Sequence, residues 1–272
     1  MGEIQLEVLR EVLKKRYNMD VSFGKRRVIF METIQEPVIG IGHYEPLRHY
    51  AEVHLRLVPG SRGSGITFES KCHVDDLSLN WQRLIETHVF EKHHKGVLTG
   101  SQLTDVKVQL LAGRDHLKHT EGGDFREATY RAIRNALMNA KSVLMEPICA
   151  FELRAPADNY GRIMGDLTRM RADCDIPRYS GETVEISGQA AFREISGYGI
   201  PLTALTHGRG VISYRLDHYE PVRDAESIIA EFGYDPCADD SPDSVFCQKG
   251  AGFVVNWKDV PSYAHIPQEY NI

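Results

Sequence analysis

Apolar and polar positions change their period several times along this chain, and each change marks a new element. The first sixteen residues place Ile4, Val8 and Val12, with Leu9 and Leu13, at helical spacing, and Glu11 and Lys15 form an i,i+4 pair on the opposite face. A helix is predicted there, then a short strand through Val21 and a turn at Gly24, the opening expected of a piece cut from a longer protein. Strands are predicted over 28–34 and 50–58; in the second, Ala51, Val53, Leu55 and Leu57 alternate with Glu52, His54 and Arg56, one face buried and one wet. Residues 66–70 read as extended, and Leu77, Trp81, Leu84, Ile85 and His88 as an amphipathic helix stopped by Gly96. After a strand over 104–111, a long helix starts at Asp124, whose carboxylate caps it while Glu127 completes a capping box. Its buried stripe is Phe125, Ala128, Ala132, Ile133, Ala136, Leu137 and Ala140. Gly40 and Gly42 read as a turn between strands, and Gly60, Gly63 and Gly65 as a flexible hairpin loop.

From Pro147 the pattern resets. Cys149, Phe151 and Leu153 alternate in a strand, Tyr160, Ile163, Met164 and Leu167 line a helix, and a weak strand lies near 172–179. Val184, Ile186 and Ala190 mark a third strand, Phe192, Ile195, Leu202 and Leu205 a short helix, and 210–217 a last strand. The order βαββαβ is the ferredoxin-like arrangement. Beyond about residue 221 only helical turns near 223–232 and 257–264 stand out, in a segment that either packs back on the molecule or sits on a partner.

Composition narrows the function classes. The 272 residues are 42% hydrophobic and 26% charged, a soluble globular mixture long enough for two domains. No apolar run is long enough for a membrane span and the amino terminus lacks a basic-then-apolar signal, so a cytoplasmic protein without membrane contact is expected. The five cysteines are scattered with no C-x-x-C pair, the usage of reduced thiols. Net charge is -6, against bulk attraction to nucleic acid and against DNA as a partner. The acid is concentrated: the segment from Asp217 onward carries -8 and the remainder +2, with basic clusters at Lys14-Lys15-Arg16 and Lys25-Arg26-Arg27.

Catalytic motifs are missing. There is no phosphate-binding G-x-x-x-x-G-K-[ST] loop, no G-x-S-x-G elbow and no cysteine in an activating context, so no catalytic or cofactor residues are assigned. Glu91 and His94 stand at a carboxylate-histidine spacing, but with His88 and His93 they read as surface residues, and no metal site is assigned. What remains is the polar loop GRDHLKHTEGG, mounted on the long helix as a contact tip. Oriented His, Arg and Lys side chains engage phosphates and unstacked bases with few charges in total. The candidates for RNA contact are Arg114, His116, Lys118 and His119, with Tyr44, Arg48 and Arg62 from adjacent strand loops.

Several blocks resemble the translational GTPases of the elongation factor G type. GEIQLEVLREVLKKRYNMDVSFGKRRVIFMETI is similar to the junction of that factor's third and fourth domains, and the tip GRDHLKHTEGGDF, EPI at 146–148, GDLTRMRA, THGRG and DHYEPV to marks of its fourth and fifth domains. The resemblance implies an α+β chain: the end of domain III over 1–27, a domain IV with the fold of ribosomal protein S5's second domain over 28–146, a ferredoxin-like domain V over 147–222, and an acidic extension over 223–272. It implies a ribosome-binding arm whose tip meets small-subunit rRNA while domain V meets the large subunit. This chain is then no enzyme, and GTP and Mg belong to an absent G domain. GSGITFES, LTDVKV and DFR look closer to the tetracycline ribosomal-protection proteins, so a protection-like role is the leading expectation. An elongation factor G-like translocation role is its alternative, favoured by His116 and GHYEPLRHYAEV; a more remote one is a protein-binding adaptor acting through the acidic tail.

Overall fold

The computed structural model describes residues 3–24 and 27–270, so Gly2, the Lys25-Arg26 pair and the side chain of Ile4 lie outside the described residues. Helix α1 (Glu3–Tyr17) ends on Lys14, Lys15 and Arg16, where basic side chains meet the negative end of the helix dipole. The strand expected through Val21 does not form. Among the described residues no strand pairs with 18–24, where the Asn18 and Met19 N–H groups turn back onto carbonyls of α1 instead.

The first domain contains β1 (Met31–Ile34), β2 (Val38–Tyr44), β3 (Ala51–Pro59), β4 (Ile66–Ser70), α2 (Leu79–Phe90), β5 (Gln102–Leu103), β6 (Val106–Arg114) and α3 (Gly122–Asn139). β2, β3 and β6 are antiparallel neighbours; β4 lies parallel to β6, connected to it through α2. The alternation on β3 and β6 sends Val53, Leu55, Leu57, Val108 and Leu110 against Ile85, Val89, Phe125, Ala132 and Ile133 of the two helices, the expected core.

Three local expectations give way. The Gly40-Ile-Gly42 segment is the middle of β2, not a turn. A Cβ at Gly40 would fall 2.1 Å from the Ala132 carbonyl oxygen and one at Gly42 1.9 Å from that of Ala128, so strand and helix backbones touch where glycine alone fits. Helix α3 is capped by Glu121, with Asp124 one turn in accepting the Glu121 N–H at 2.8 Å, while Glu127 pairs with Arg131 instead of completing a box. Helix α2 stops at Phe90, so His93 and His94 lie outside it.

The second domain opens on β7 (Ser142–Pro156), one unbroken strand that begins ahead of the expected position and crosses residue 147. Its first four residues pair with β1, which ties the two domains together. Then come α4 (Tyr160–Arg169), β8 (Asp173–Cys174), β9 (Arg178–Ser180), β10 (Thr183–Ala191), α5 (Phe192–Ile195), α6 (Gly199–Leu205) and β11 (Val211–Pro221). β7 sits between β11 and β10, with β8 and β9 on the far side of β10, all antiparallel: the ferredoxin-like arrangement, its weak second strand split in two. Phe151, Leu153, Ile163, Leu167, Ile186 and Leu202 fill its core.

The C-terminal segment packs back onto the first domain. It forms α7 (Ala225–Phe232), α8 (Pro236–Asp239), β12 (Ser244–Gln248), β13 (Ala251–Val255) and α9 (Val260–Tyr263). The hairpin turns on Lys249 and Gly250, at φ 50° and 82°, the left-handed pair of a two-residue type I′ loop. β12 joins the first sheet beside β2, giving the order β13-β12-β2-β3-β6-β4. Buried Arg134 of α3 staples the segment by donating to the carbonyls of Pro236 and Asp240, at 2.6 and 3.2 Å, and to the Tyr234 hydroxyl at 3.1 Å.

α9 and residues 264–270 then cover the sheet face opposite the helices. Ile41, Phe246, Val255 and Val260 form a second small core there. The face expected to be wet is therefore buried at its tip end: Glu52 and His54 are both 0% exposed.

Candidate nucleic-acid interface

Two connections meet at one end of the first domain, residues 45–50 between β2 and β3 and residues 115–121 between β6 and α3. The Thr120 hydroxyl donates to the Tyr50 carbonyl at 2.6 Å and accepts the His116 N–H at 2.7 Å. His49 Nδ1 lies 2.8 Å from Asp124 Oδ1, and the Trp81 indole donates to Asp115 at 3.1 Å. Because these bonds fasten both loops to each other and to α2 and α3, the tip is a shaped projection. It presents Arg48, His116, Lys118 and His119 to solvent, around Leu117 at 97% exposure. The His116 and His119 rings stack with centroids 4.6 Å apart. Arg48 holds φ 66°, a left-handed conformation that non-glycine residues adopt rarely.

The other three candidates sit differently. Arg114, at the base of the tip, donates to the His265 carbonyl at 3.1 Å and is thus engaged by the C-terminal segment. Tyr44 is half-buried, with the Arg131 guanidinium 5.1 Å over its ring. Arg62 does not join the tip. It follows β3, whose nine residues span about 26 Å, and at that far end it reaches Met145 Sδ at 3.6 Å. Sequence reasoning missed His49, Thr120 and Trp81, which hold the loops; their signal was a polar or aromatic residue next to each loop, too common to stand out.

Directly beneath the tip lies a buried carboxylate, Glu52. It accepts from His43 Nδ1 at 2.6 Å, His54 Nε2 at 2.9 Å, the His265 N–H at 2.9 Å and the Ile266 N–H at 2.8 Å. Burial alone raises its pKa, but the bonds from His43, His54 and His265 outweigh that and hold it well below the usual carboxylate range. His54 Nδ1 takes the Tyr270 hydroxyl at 2.6 Å, so the last described residue completes the network.

The surface reading of His88 and His94 is overturned, since both are buried. His94 Nε2 donates to the Val89 carbonyl at 2.9 Å, and burial pushes its pKa down to about 4. Glu91 is occupied by His88 and Arg126, so the Glu91–His94 pairing suggested by spacing does not form. All five cysteines are unpaired, and burial raises the thiols of Cys72, Cys149 and Cys174, the reverse of nucleophile activation. No described helix is long and apolar enough to cross a membrane.

Comparison with known proteins identifies the parts. The family model for elongation factor G domain IV matches residues 26–141, and that for the elongation factor G C-terminus matches residues 143–227. Elongation factor G of Aquifex pyrophilus is 30% identical over 237 residues, and that of Gluconobacter oxydans 31% over 242; each match covers 85% of this chain and 34% of the relative. The chain thus spans about a third of the length of these relatives. A crystal structure of a Thermus thermophilus protein superposes with TM-score 0.76 at 27% identity, covering 85% of this chain and 36% of that one. The named relatives are called elongation factor G and not tetracycline-protection proteins, which favours the alternative expectation from sequence over the leading one. The chain belongs to the elongation factor G family, of which it carries domain IV and the C-terminal domain.

Proposed function

We propose that this chain is the ribosome-contacting arm of an elongation factor G-like translational GTPase acting in the cytoplasm. In this reading, loops 45–50 and 115–121 enter the decoding region of the small subunit. The observation that carries it is the braced tip with Arg48, His116, Lys118 and His119 exposed together at one end of the domain. Such a tip concentrates cationic and stacking groups in a chain of negative net charge, and local placement rather than bulk charge suits contact with structured RNA. Arg114 adds a guanidinium at its base, and Tyr44 packs beneath Arg131 as support. The ferredoxin-like domain is the arm's large-subunit end. GTP and Mg²⁺ are handled by a G domain outside the matched segments, so the arm positions RNA and does no chemistry of its own.

Translocation is favoured over drug protection by the names of the relatives. The adaptor alternative is disfavoured because the hairpin and residues 264–270 make their contacts inside the chain.

Cosedimentation with ribosomes tests the arm. The wild-type chain is expected to bind, and Arg48→Ala with Lys118→Ala to bind more weakly and with a salt dependence shallower by about two charges. Equal binding by both proteins at every salt concentration counts against the tip. Ribosome translocation by the full-length protein, with and without tetracycline, then separates the two roles.

A further inference from the structure

One group of metal-ligating side chains comes together among the described residues. His43 on β2, Glu45 just beyond it and His265 after α9 each offer a ligand atom within 4.8 Å of the other two. We propose that this trio binds a divalent first-row transition ion, zinc by preference, which clips the C-terminal segment to the base of the tip.

The spacing suits the ion. His43 Nε2 lies 3.2 Å from Glu45 Oε2, close to the separation of about 3.4 Å that two ligand atoms take on a tetrahedral zinc with bonds near 2.1 Å. His265 needs only to close from a separation of no more than 4.8 Å. Two imidazoles and a carboxylate are the donor set of zinc sites that keep a fourth position for water, and imidazole donors select against magnesium and calcium.

The surroundings are those of a built site. The second nitrogen of His43 is held by Glu52 at 2.6 Å, the carboxylate-histidine arrangement that fixes a ligand's tautomer and orientation. Glu52 is itself fixed by His54 and by the N–H groups of His265 and Ile266. Phe246 stacks on the His43 ring at 4.0 Å and 3°, so that ring has one orientation. The Tyr50 hydroxyl lies 3.2 Å from His265 Nδ1. Two carboxylates, Glu45 and Glu52, act on His265 against the Arg114 guanidinium, so the site favours a cation. The Glu45 side chain is 22% exposed and His265 lies at the surface, which gives the ion a way in.

An ion here joins residue 45 of the tip loop to residue 265, across most of the chain. It also fixes the His265 carbonyl that Arg114 uses, so metal loading reaches the tip.

The test is titration of the tag-free chain with Zn²⁺ and Co²⁺, followed by calorimetry, visible absorption and thermal unfolding. The expected result is one tight equivalent, a tetrahedral Co²⁺ spectrum and a raised melting temperature with Zn²⁺. His265→Ala, at the surface, and Glu45→Gln should keep the far-ultraviolet circular dichroism of the wild type, lose at least about tenfold in affinity and lose the thermal shift. The double variant His116→Ala, His119→Ala should bind as the wild type does. Absence of a tight equivalent in the wild type overturns the proposal, as does binding unchanged in His265→Ala or abolished by the His116/His119 double variant.

Discussion

β3 and β7 carry nearly the same pattern, Ala-Glu-Val-His-Leu over 51–55 and Phe-Glu-Leu-Arg-Ala over 151–155. In both, the apolar residues face a core built against helices. The polar residues part company. Glu52 and His54 are sealed beneath residues 264–270, whereas Glu152 and Arg154 are exposed and Arg154 pairs with Glu185 across the sheet. Alternation reports which face meets a core; whether the other face meets water depends on a covering segment supplied from elsewhere in the chain. The chemistry differs accordingly. A buried carboxylate persists when its acceptor capacity is filled, as the four donors on Glu52 do, while an exposed one needs no partner.

Substitutions on the two strands sharpen that contrast. The largest effect is expected from Glu52→Ala, which strands two histidines and two N–H groups and should cost about 3–5 kcal/mol in denaturant unfolding. A cost near that of a surface residue would mean the C-terminal segment does not cover Glu52. Acid gives the next effect, through His94. Its folded pKa, about 4, lies below the ordinary 6.5, so between those values the unfolded chain takes a proton the folded chain refuses. Stability from this group is complete above pH 6.5 and falls as pH drops toward 4, by about 3 kcal/mol over the window. His94→Gln, whose amide can still donate to the Val89 carbonyl, should flatten that part of the stability–pH curve.

Gly42→Ala follows, at about 1–3 kcal/mol by thermal unfolding, because the added methyl meets the Ala128 carbonyl and the covered β2 has no free side toward which to move. The smallest effect belongs to the open strand: Arg154→Ala should change stability by no more than about 0.5 kcal/mol, the value of an exposed ion pair. A larger loss there would erase the distinction between the strands.

Much of the architecture was legible because it rests on local periodicity. The stripe from Phe125 to Leu137 and the βαββαβ order are set by residues a few positions apart. The tip was legible for a related reason, since a polar loop between a strand and a helix has nowhere to hide His116, Lys118 and His119. What escaped depends on distant pieces. Gly40 and Gly42 look like turn residues until α3 is known to cross them. Arg114 looks free until His265, 151 residues away, takes its guanidinium. The hairpin does carry a local signal, Lys249-Gly250 between two alternating runs, which the surrounding acids disguise as a loop. Arg62 groups with the tip on sequence although the predicted strand over 50–58 separates its loop from residues 45–50, which by chain order alone puts the two loops at opposite ends.

The central claim is that the C-terminal segment forms a third layer of domain IV, leaving the tip as the exposed part. Amide hydrogen exchange measured residue by residue tests this most directly. The His265 and Ile266 amides, donated to Glu52, should be protected to the same degree as those of β2 and β3, while the amide of exposed Leu117 exchanges fast. Exchange at His265 and Ile266 as fast as at the tip, with β2 and β3 still protected, would contradict the account.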